Sequence, residues 1–474
     1  MKKYINILLV AAVSLNFFAC SEDVMDEINT DKNNPTKMSS KFILTDVMTS
    51  TAFSVVGSDL AFYAGCYIEH NVGSFNQLYR AEMRLAEPIV SSTYNNSWYS
   101  IYNNLRNLKV CIEKCSKGGE EEGNYPNLAV AQILTAYNLA VLTDLFGNVP
   151  WSEALQPGIV NKPKVDKQED IYNDIFTLLD NAIANLAQET SYSIDSKQDL
   201  LYGGDDEAWL KFAYGLKARY TLRLSKQKPD YKSVIDFAQK SFTKADEECK
   251  FVYNGKTSIS PFYQFSNDRD YLSYSASFNN LLKGKSDPRE SILVTPHPDG
   301  SGATDIAPNG NVIQQQGVYQ VSALSQINTL PTYLLSYHEV QFILAEAYAR
   351  QNDATNAKAA LDNAVAAAMS KEGVECDAAD ITSYCATLNA TIKEIAQQKY
   401  IAFFEQEAVE AYNDIRRWKA MGETNIDLKH PHPENFPLRF TYGTSDVSAN
   451  PNVTEVYEAT DVYKDNVWWA GGNK

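Results

Sequence analysis

Three stretches of the sequence, "GSFNQLYR", "PFYQFSNDRDYLSY" and "IQQQGVYQ", place aromatic side chains beside amides or a guanidinium. A sugar ring has an apolar C–H face on which an aromatic ring can stack, and its hydroxyls can bond amide, guanidinium and phenol groups. The same groups also suit a peptide. The candidate ligand-binding residues in these stretches are Asn76, Tyr79, Tyr263, Arg269, Tyr271 and Tyr319.

Catalytic and metal-binding patterns are weaker. The sequence contains no G-x-S-x-G, no H-E-x-x-H and no Walker-type loop. His430 and His432 in "HPHP" are interpreted as solvated loop residues, and Glu410, Arg416 and Arg417 as a structural ion-pair network. We therefore expect a binding protein that is not an enzyme and that has no catalytic residues, metal or cofactor.

The first 40 residues have the pattern of a leader followed by a tether. Lys2 and Lys3 precede an apolar run that ends at Cys20 and is too short to span a bilayer. We predict that residues 1–19 are a lipoprotein signal peptide and that Cys20 carries the acyl chains. Two or more such chains hold a protein stably on a membrane. Residues 20–40 are predicted to be a flexible tether.

Composition limits the classes of partner. The 474 residues carry a formal net charge of −17, and so acidic a surface repels nucleic acid. The apolar content of 44% is enough for a large core. Of the cysteines after the leader, Cys376 and Cys385 flank a short loop and are the best candidates for a disulfide, but the sequence leaves open whether they are bonded.

Residues 41–474 are predicted to form a single, mainly α-helical domain. "YHEVQFILAEAYARQND" runs into "ATNAKAALDNAVAAAM", and "DEAWLKFAYGLKARYTLRLSKQ" precedes "DYKSVIDFAQKSF". Their periodicity and small alanines are typical of tetratricopeptide-like helix pairs. Residues 251–332 and 422–474 are predicted to be loop-rich excursions. Loops this long are usually functional or disordered, and their aromatic density argues against disorder.

Several motifs occur in the order in which one protein family carries them. They are "INTDKNNPT", "TDLFGNVPWSEAL", "AWLKFAYGLKARYTLRLS", "DPRE", "QKYIAFFEQEAVEAYNDIRRW" and "PLRFTYGTSDVSANPN". With the lipoprotein start, they resemble the SusD/RagB family of nutrient-binding outer-membrane lipoproteins, in the branch whose N-termini read like "INTDPNNPT". Gly443 and Asp446 depart from that branch, which often has Pro and Glu there.

The resemblance implies an all-α SusD-like fold with tetratricopeptide-like helix pairs and long functional loops. It also implies a cell-surface protein, anchored to the outer membrane, that passes an oligosaccharide to a SusC-like TonB-dependent barrel. Three alternatives stay open: a peptide-binding member of the same family, a tetratricopeptide-like assembly scaffold, and a glycan-degrading enzyme.

Overall fold

The computed structural model describes residues 38–473. The predicted signal peptide, Cys20 and nearly all of the predicted tether lie outside these residues. The first helix begins at Ser40, the last residue assigned to the tether.

Most of the described chain is α-helical, which confirms the predicted fold class. The α-helices are α1 (Ser40–Ser50), α2 (Asp59–Tyr67), α3 (Asn76–Glu82), α4 (Asn95–Cys115), α5 (Tyr125–Phe146), α6 (Gln168–Leu186), α7 (Asp206–Arg223), α8 (Tyr231–Ala238), α9 (Pro261–Arg269), α10 (Ala276–Gly284), α11 (Tyr337–Arg350), α12 (Ala354–Ser370), α13 (Ala378–Thr387), α14 (Ile392–Ala402), α15 (Ala408–Ala420), α16 (Thr444–Ala449), α17 (Pro451–Val456) and α18 (Asp461–Lys464). A π-helical turn, Thr51–Val55, continues α1.

The strands are short and pair in twos. They are β1 (Asn71–Gly73), β2 (Val149–Pro150), β3 (Val165–Asp166), β4 (Cys249–Phe251), β5 (Leu272–Tyr274), β6 (Val294–Thr295), β7 (Val321–Ser322) and β8 (Thr332–Leu335). The antiparallel pairs are β1 with β5, β2 with β3, β4 with β8, and β6 with β7. These pairs fasten loops to the helical body.

Both helix pairs expected from the sequence are present. The turn between α11 and α12 places Asn352 at a φ of +62°, and the Asp353 carboxylate caps α12 by accepting from the backbone N–H of Asn356 at 3.1 Å. Ala345 and Ala364 are fully buried in this pair, so the small side chains let the two helices approach closely. Helices α7 and α8 pack together in the same way.

Helix α5 runs through the core, and almost all of its side chains are buried. Its polar groups find partners: Asn138 donates to Thr51 at 3.0 Å and accepts from Asn104 at 3.1 Å, and Asp144 accepts from Tyr172 at 2.5 Å. By length and composition α5 could cross a membrane, yet its apolar window is entirely buried within the described fold. It is therefore a core helix.

Buried ion pairs join helices that are distant in sequence. Arg417 pairs with Glu346 at 2.7 Å, whereas Glu410 pairs with Arg223 and Arg416 donates to backbone carbonyls. The structure thus contains the network that the sequence analysis expected. However, the partner of Glu410 comes from α7 and not from its own helix.

The two predicted excursions contain more secondary structure than the sequence indicated. Residues 251–332 include α9, α10 and strands β5 to β7, and residues 422–474 include α16 to α18. Most of their aromatic side chains enter the main hydrophobic core, as Trp469 does with no exposed surface. Burial of these aromatics gives the stretches their order.

The open question about a disulfide has a structural answer. Cys376 and Cys385 are free thiols. The Cys385 Sγ instead lies 3.9 Å from the backbone oxygen of Asp362 on α12.

Candidate ligand-binding site

The three stretches that carry the predicted binding residues converge in space. Strands β1 and β5 pair with Gly73 opposite Leu272, and the Ser74 N–H donates to the Tyr271 carbonyl at 2.9 Å. The Tyr274 N–H donates to the Gln320 carbonyl at 2.8 Å. Backbone hydrogen bonds therefore bring segments separated by some two hundred residues into one cluster of loops.

Asn76 and Tyr79 lie on the short helix α3 after β1. Asn76 is exposed, has a φ of +48° and donates from Nδ2 to the Tyr271 hydroxyl at 3.1 Å. Tyr79 is half-buried against a small apolar cluster that contains Tyr319. Tyr319 is 6% exposed, and its hydroxyl accepts from the Ile313 N–H at 3.1 Å, so it orders its own loop from inside.

The other predicted residues lie on α9 or directly after it. Tyr263 is half-buried on this helix, and Arg269 is exposed at its last turn. Tyr271 is 8% exposed, and its ring packs against Phe75 and Phe265 with centroids 5.6 and 5.7 Å away. Tyr271 thus supports the loops more than it faces solvent, and Arg269 is the predicted residue that reaches the cavity described next.

A cavity of about 230 Å³ lies beside this cluster, between the start of α2 and α9. Its lining is Phe53, Ser58, Asp59, Phe62, Pro261, Gln264, Phe265, Asp268 and Arg269. Three phenylalanines therefore lie beside carboxylate, amide, hydroxyl and guanidinium groups. Phe53 and Phe265 are half-buried, whereas Phe62 is 3% exposed and supports Phe265 from behind. The sequence analysis missed Phe53, Asp59 and Phe62. Their signal was weak because all three lie in helical turns, where each is typical of an ordinary helix residue.

The aromatic wall is held rigidly. The rings of Phe62 and Phe265 stack with centroids 4.3 Å apart and planes 27° apart, and Phe262 meets Phe62 edge-on at 4.8 Å. Such pairs stabilise a fixed ring orientation beyond the burial of their area. A flat ligand face would therefore meet a surface that is already formed.

Gly57 sets the shape of this cavity. A Cβ atom at Gly57 would lie 2.3 Å from the Ala52 carbonyl oxygen and 3.2 Å from Pro261 Cγ. The π-helical turn Thr51–Val55 ends two residues before it, and such turns are frequent at functional sites. Glycine therefore lets the end of this turn pass close to the start of α9.

Polar groups form a hydrogen-bonded chain between α3 and α2. Arg80 donates to Asn76 Oδ1 at 3.3 Å and to Glu87 at 2.8 Å, and Glu87 accepts from Tyr63 at 3.1 Å. In the cavity, burial raises the pKa of the Asp59 carboxyl, and the hydrogen bond from Asn96 opposes that rise.

His297 holds the ends of two loops together. Its Nε2 lies 2.9 Å from Asp270 and its Nδ1 lies 2.9 Å from Asp299. Burial lowers the pKa of His297, but the hydrogen bonds that its ring donates to both carboxylates outweigh this effect and leave the pKa above its usual 6.5. Asp299 in turn packs on Gly317, where a Cβ would lie 2.6 Å from its Oδ2. The imidazolium thus links α9 to the loop of Tyr319.

The "HPHP" stretch was expected to be solvated at both histidines, and this expectation is correct for only one of them. His432 is exposed, but His430 is buried and its Nε2 lies 2.7 Å from the Glu82 carbonyl oxygen. His430 Nδ1 accepts from the His432 N–H at 3.1 Å. Across residues 38–473, no group of three or more His, Cys, Asp or Glu side chains is arranged to hold a metal ion.

A second apolar hollow, of about 470 Å³, lies beside Trp151 between α4, α5 and α6. There the indole N–H already donates to Asp174 at 2.9 Å, and none of the predicted binding residues takes part. The cavity at Phe62 and Phe265 is favoured because the predicted residue Arg269 and other residues of the stretch 261–274 line it.

A helical body with an aromatic cavity between α2 and α9 is the architecture expected of a solute-binding protein. More particularly, the chain belongs to the SusD/RagB family, since residues 32–442 match the SusD-like family described as starch-binding and associating with the outer membrane.

Solved structures agree with this assignment. A SusD/RagB family protein from Bacteroides thetaiotaomicron is 40% identical, with a TM-score of 0.85 over 92% of this chain and 100% of that one. A chitin-binding protein is 24% identical, with a TM-score of 0.75 over 91% and 99%. A chitin-binding SusD homolog from Flavobacterium johnsoniae is 19% identical, with a TM-score of 0.73 over 90% and 98%. At these low identities, the last two structures show only that this chain shares their fold. No curated protein matches the chain.

Proposed function

We propose that this protein is a lipid-anchored, surface-facing outer-membrane protein that binds an oligosaccharide and delivers it to a SusC-like TonB-dependent barrel. The observation that carries the binding step is the stacked pair Phe62–Phe265 beside polar side chains. The work is selection by shape and hydrogen bonding, so no covalent step is needed and the protein is not an enzyme.

The size of the cavity indicates how a glycan would lie. Pockets for drug-sized ligands span roughly 300–1,000 Å³, and this cavity is about 230 Å³. It therefore suits one ring of a chain. The neighbouring rings would extend from the cavity toward Asn76 and Arg80, which are both exposed.

The binding step is tested by calorimetry with oligosaccharides from starch, cellulose, xylan and chitin, and with a set of peptides. Phe265→Leu keeps an apolar side chain but removes the flat ring, and it should weaken glycan binding about tenfold, which is about 1.4 kcal/mol. Tyr192→Leu, at an exposed loop position, is the control and should bind as the parent does. Binding of peptides alone would replace the glycan proposal with a peptide one.

The delivery step needs a separate experiment. The C-terminally tagged protein is extracted from outer membranes in mild detergent, and its partners are identified by mass spectrometry. A TonB-dependent barrel in near-equal amount is expected. Recovery of the protein alone, from extracts in which such barrels remain intact, would contradict a stable pair.

A further inference from the structure

The cavity carries more free negative than positive charge. Asp59 is half-buried at the first turn of α2, and its nearest hydrogen-bond donor is Asn96 Nδ2 at 3.5 Å. Asp268 is exposed and contacts Asn267 Nδ2 at 3.4 Å. The cation of the lining is Arg269. Both carboxylates therefore keep most of their acceptor capacity for a ligand.

Other carboxylates nearby are already paired with cationic side chains. Asp270 and Asp299 both bond His297 at 2.9 Å, and Glu87 bonds Arg80 at 2.8 Å. Because one imidazolium balances only one of Asp270 and Asp299, the charge that remains there is negative and has the same sign as that of Asp59 and Asp268. Within the cavity lining, the balance is set by Asp59 and Asp268 against Arg269.

Arg269 is poorly placed to reverse this balance. It lies exposed on the last turn of α9, between Asp268 and Asp270 in sequence. Screening by water weakens the exposed charges of Arg269 and Asp268 alike, whereas the half-buried Asp59 acts through a lower dielectric. A ligand carboxylate that enters would lose its hydration and face two carboxylates. A ligand hydroxyl would instead donate charge-assisted hydrogen bonds to them.

We infer that the cavity binds glycan units without negative charge, and that Asp59 and Asp268 exclude uronate and sulfate groups. This inference rests on the proposed function and narrows its substrate class. Aromatic stacking holds any sugar ring, and the two carboxylates then decide which rings are admitted.

The test compares ligands that differ in charge. Titrations use the neutral oligosaccharides named above together with oligogalacturonides in free-acid and methyl-esterified forms, and chondroitin sulfate oligosaccharides. We expect binding to at least one neutral glycan and at least tenfold weaker binding to every acidic one. Preference for an acidic glycan would overturn the inference and leave the proposed function standing. Failure to bind any glycan would overturn both.

Variants then assign the effect to residues. Asp268→Asn changes an exposed side chain, so the fold should persist. Combined with Asp59→Asn, it should reduce the ratio of the affinity for neutral glycans to that for acidic glycans, here called the gap, about tenfold. Glu189→Gln removes the same charge from an exposed loop outside the cavity and should leave the gap unchanged. An unchanged gap in the folded Asp268→Asn and double variants, or an equal change in Glu189→Gln, would overturn the role of these carboxylates.

Discussion

The side chains of Asn76 and Tyr271, 195 residues apart in the chain, are joined by a hydrogen bond of 3.1 Å from Nδ2 to the phenol oxygen. The same tyrosine ring packs on Phe265 of the cavity wall. The exposed amide and the aromatic wall are thus two ends of one supported unit. A substitution at either end should therefore change the position of the side chain at the other end.

Tyr271→Phe should test this unit. The substitution keeps the ring and removes the hydroxyl, so stability should fall by about 1 kcal/mol, the usual value of one hydrogen bond. Glycan affinity should fall several-fold because Asn76 is no longer held. Calorimetry and thermal unfolding measure the two effects. Tyr192→Phe, at an exposed position, is the matched control. Equal affinity in both variants would show that Asn76 does not depend on Tyr271.

Gly57→Ala should distort the cavity, because Gly57 packs against Pro261 in the cavity lining. The new methyl group would lie 2.3 Å from the Ala52 carbonyl, and relief of such overpacking costs about 1–3 kcal/mol. Both the free energy of unfolding and the glycan affinity should decrease. Gly284→Ala adds the same methyl group at the end of α10, where nothing lies within 4 Å, and should be neutral. A folded Gly57→Ala protein with parental affinity would argue against the role of this turn.

The His297 clamp should make stability depend on pH. Its pKa in the folded protein lies above the usual 6.5, so its contribution is complete below about pH 6.5 and is lost as pH rises through the folded pKa. His297→Gln should therefore be less stable than the parent at low pH and approach it at high pH. Denaturant unfolding over a series of pH values measures this difference. His432→Gln, at an exposed histidine, should show no such convergence.

Cys20→Ala should release the protein from membranes. The thiol is the predicted attachment point of the acyl chains, and without them the charged chain has no durable anchor. Fractionation of cells into membrane and soluble parts measures the change. Cys376→Ala, which removes a free thiol of the folded body, should stay with the membranes. A Cys20→Ala protein that still sediments with membranes would contradict the proposal that the protein is a lipoprotein anchored at Cys20.

The sequence predicted the helical class well because helix signals are local. The pair α11 and α12 could be located from its alanines and from the Asn352-Asp353 turn alone. The three loops of the candidate site were identified by residue type, and the structure brings them together. The precise contact residues of the ligand remain a prediction.

The cavity wall and the ion pairs could not be predicted in the same way. Phe62 and Phe265 are 203 positions apart by their numbers, and each resembles an ordinary core residue. Glu410 was expected near Arg416 and Arg417, but it pairs with Arg223 on another helix. Such contacts depend on how distant helices pack, which periodicity does not specify.

Helix α5 also bears on the proposed export of this protein. While unfolded, a segment apolar enough to cross a bilayer risks being released sideways into the inner membrane by the secretion machinery. Gln132, Asn138 and Asp144 lower its affinity for lipid, because polar groups are costly in a bilayer. The side chains that bond α5 to its neighbours in the folded protein would thus also keep the nascent chain moving outward.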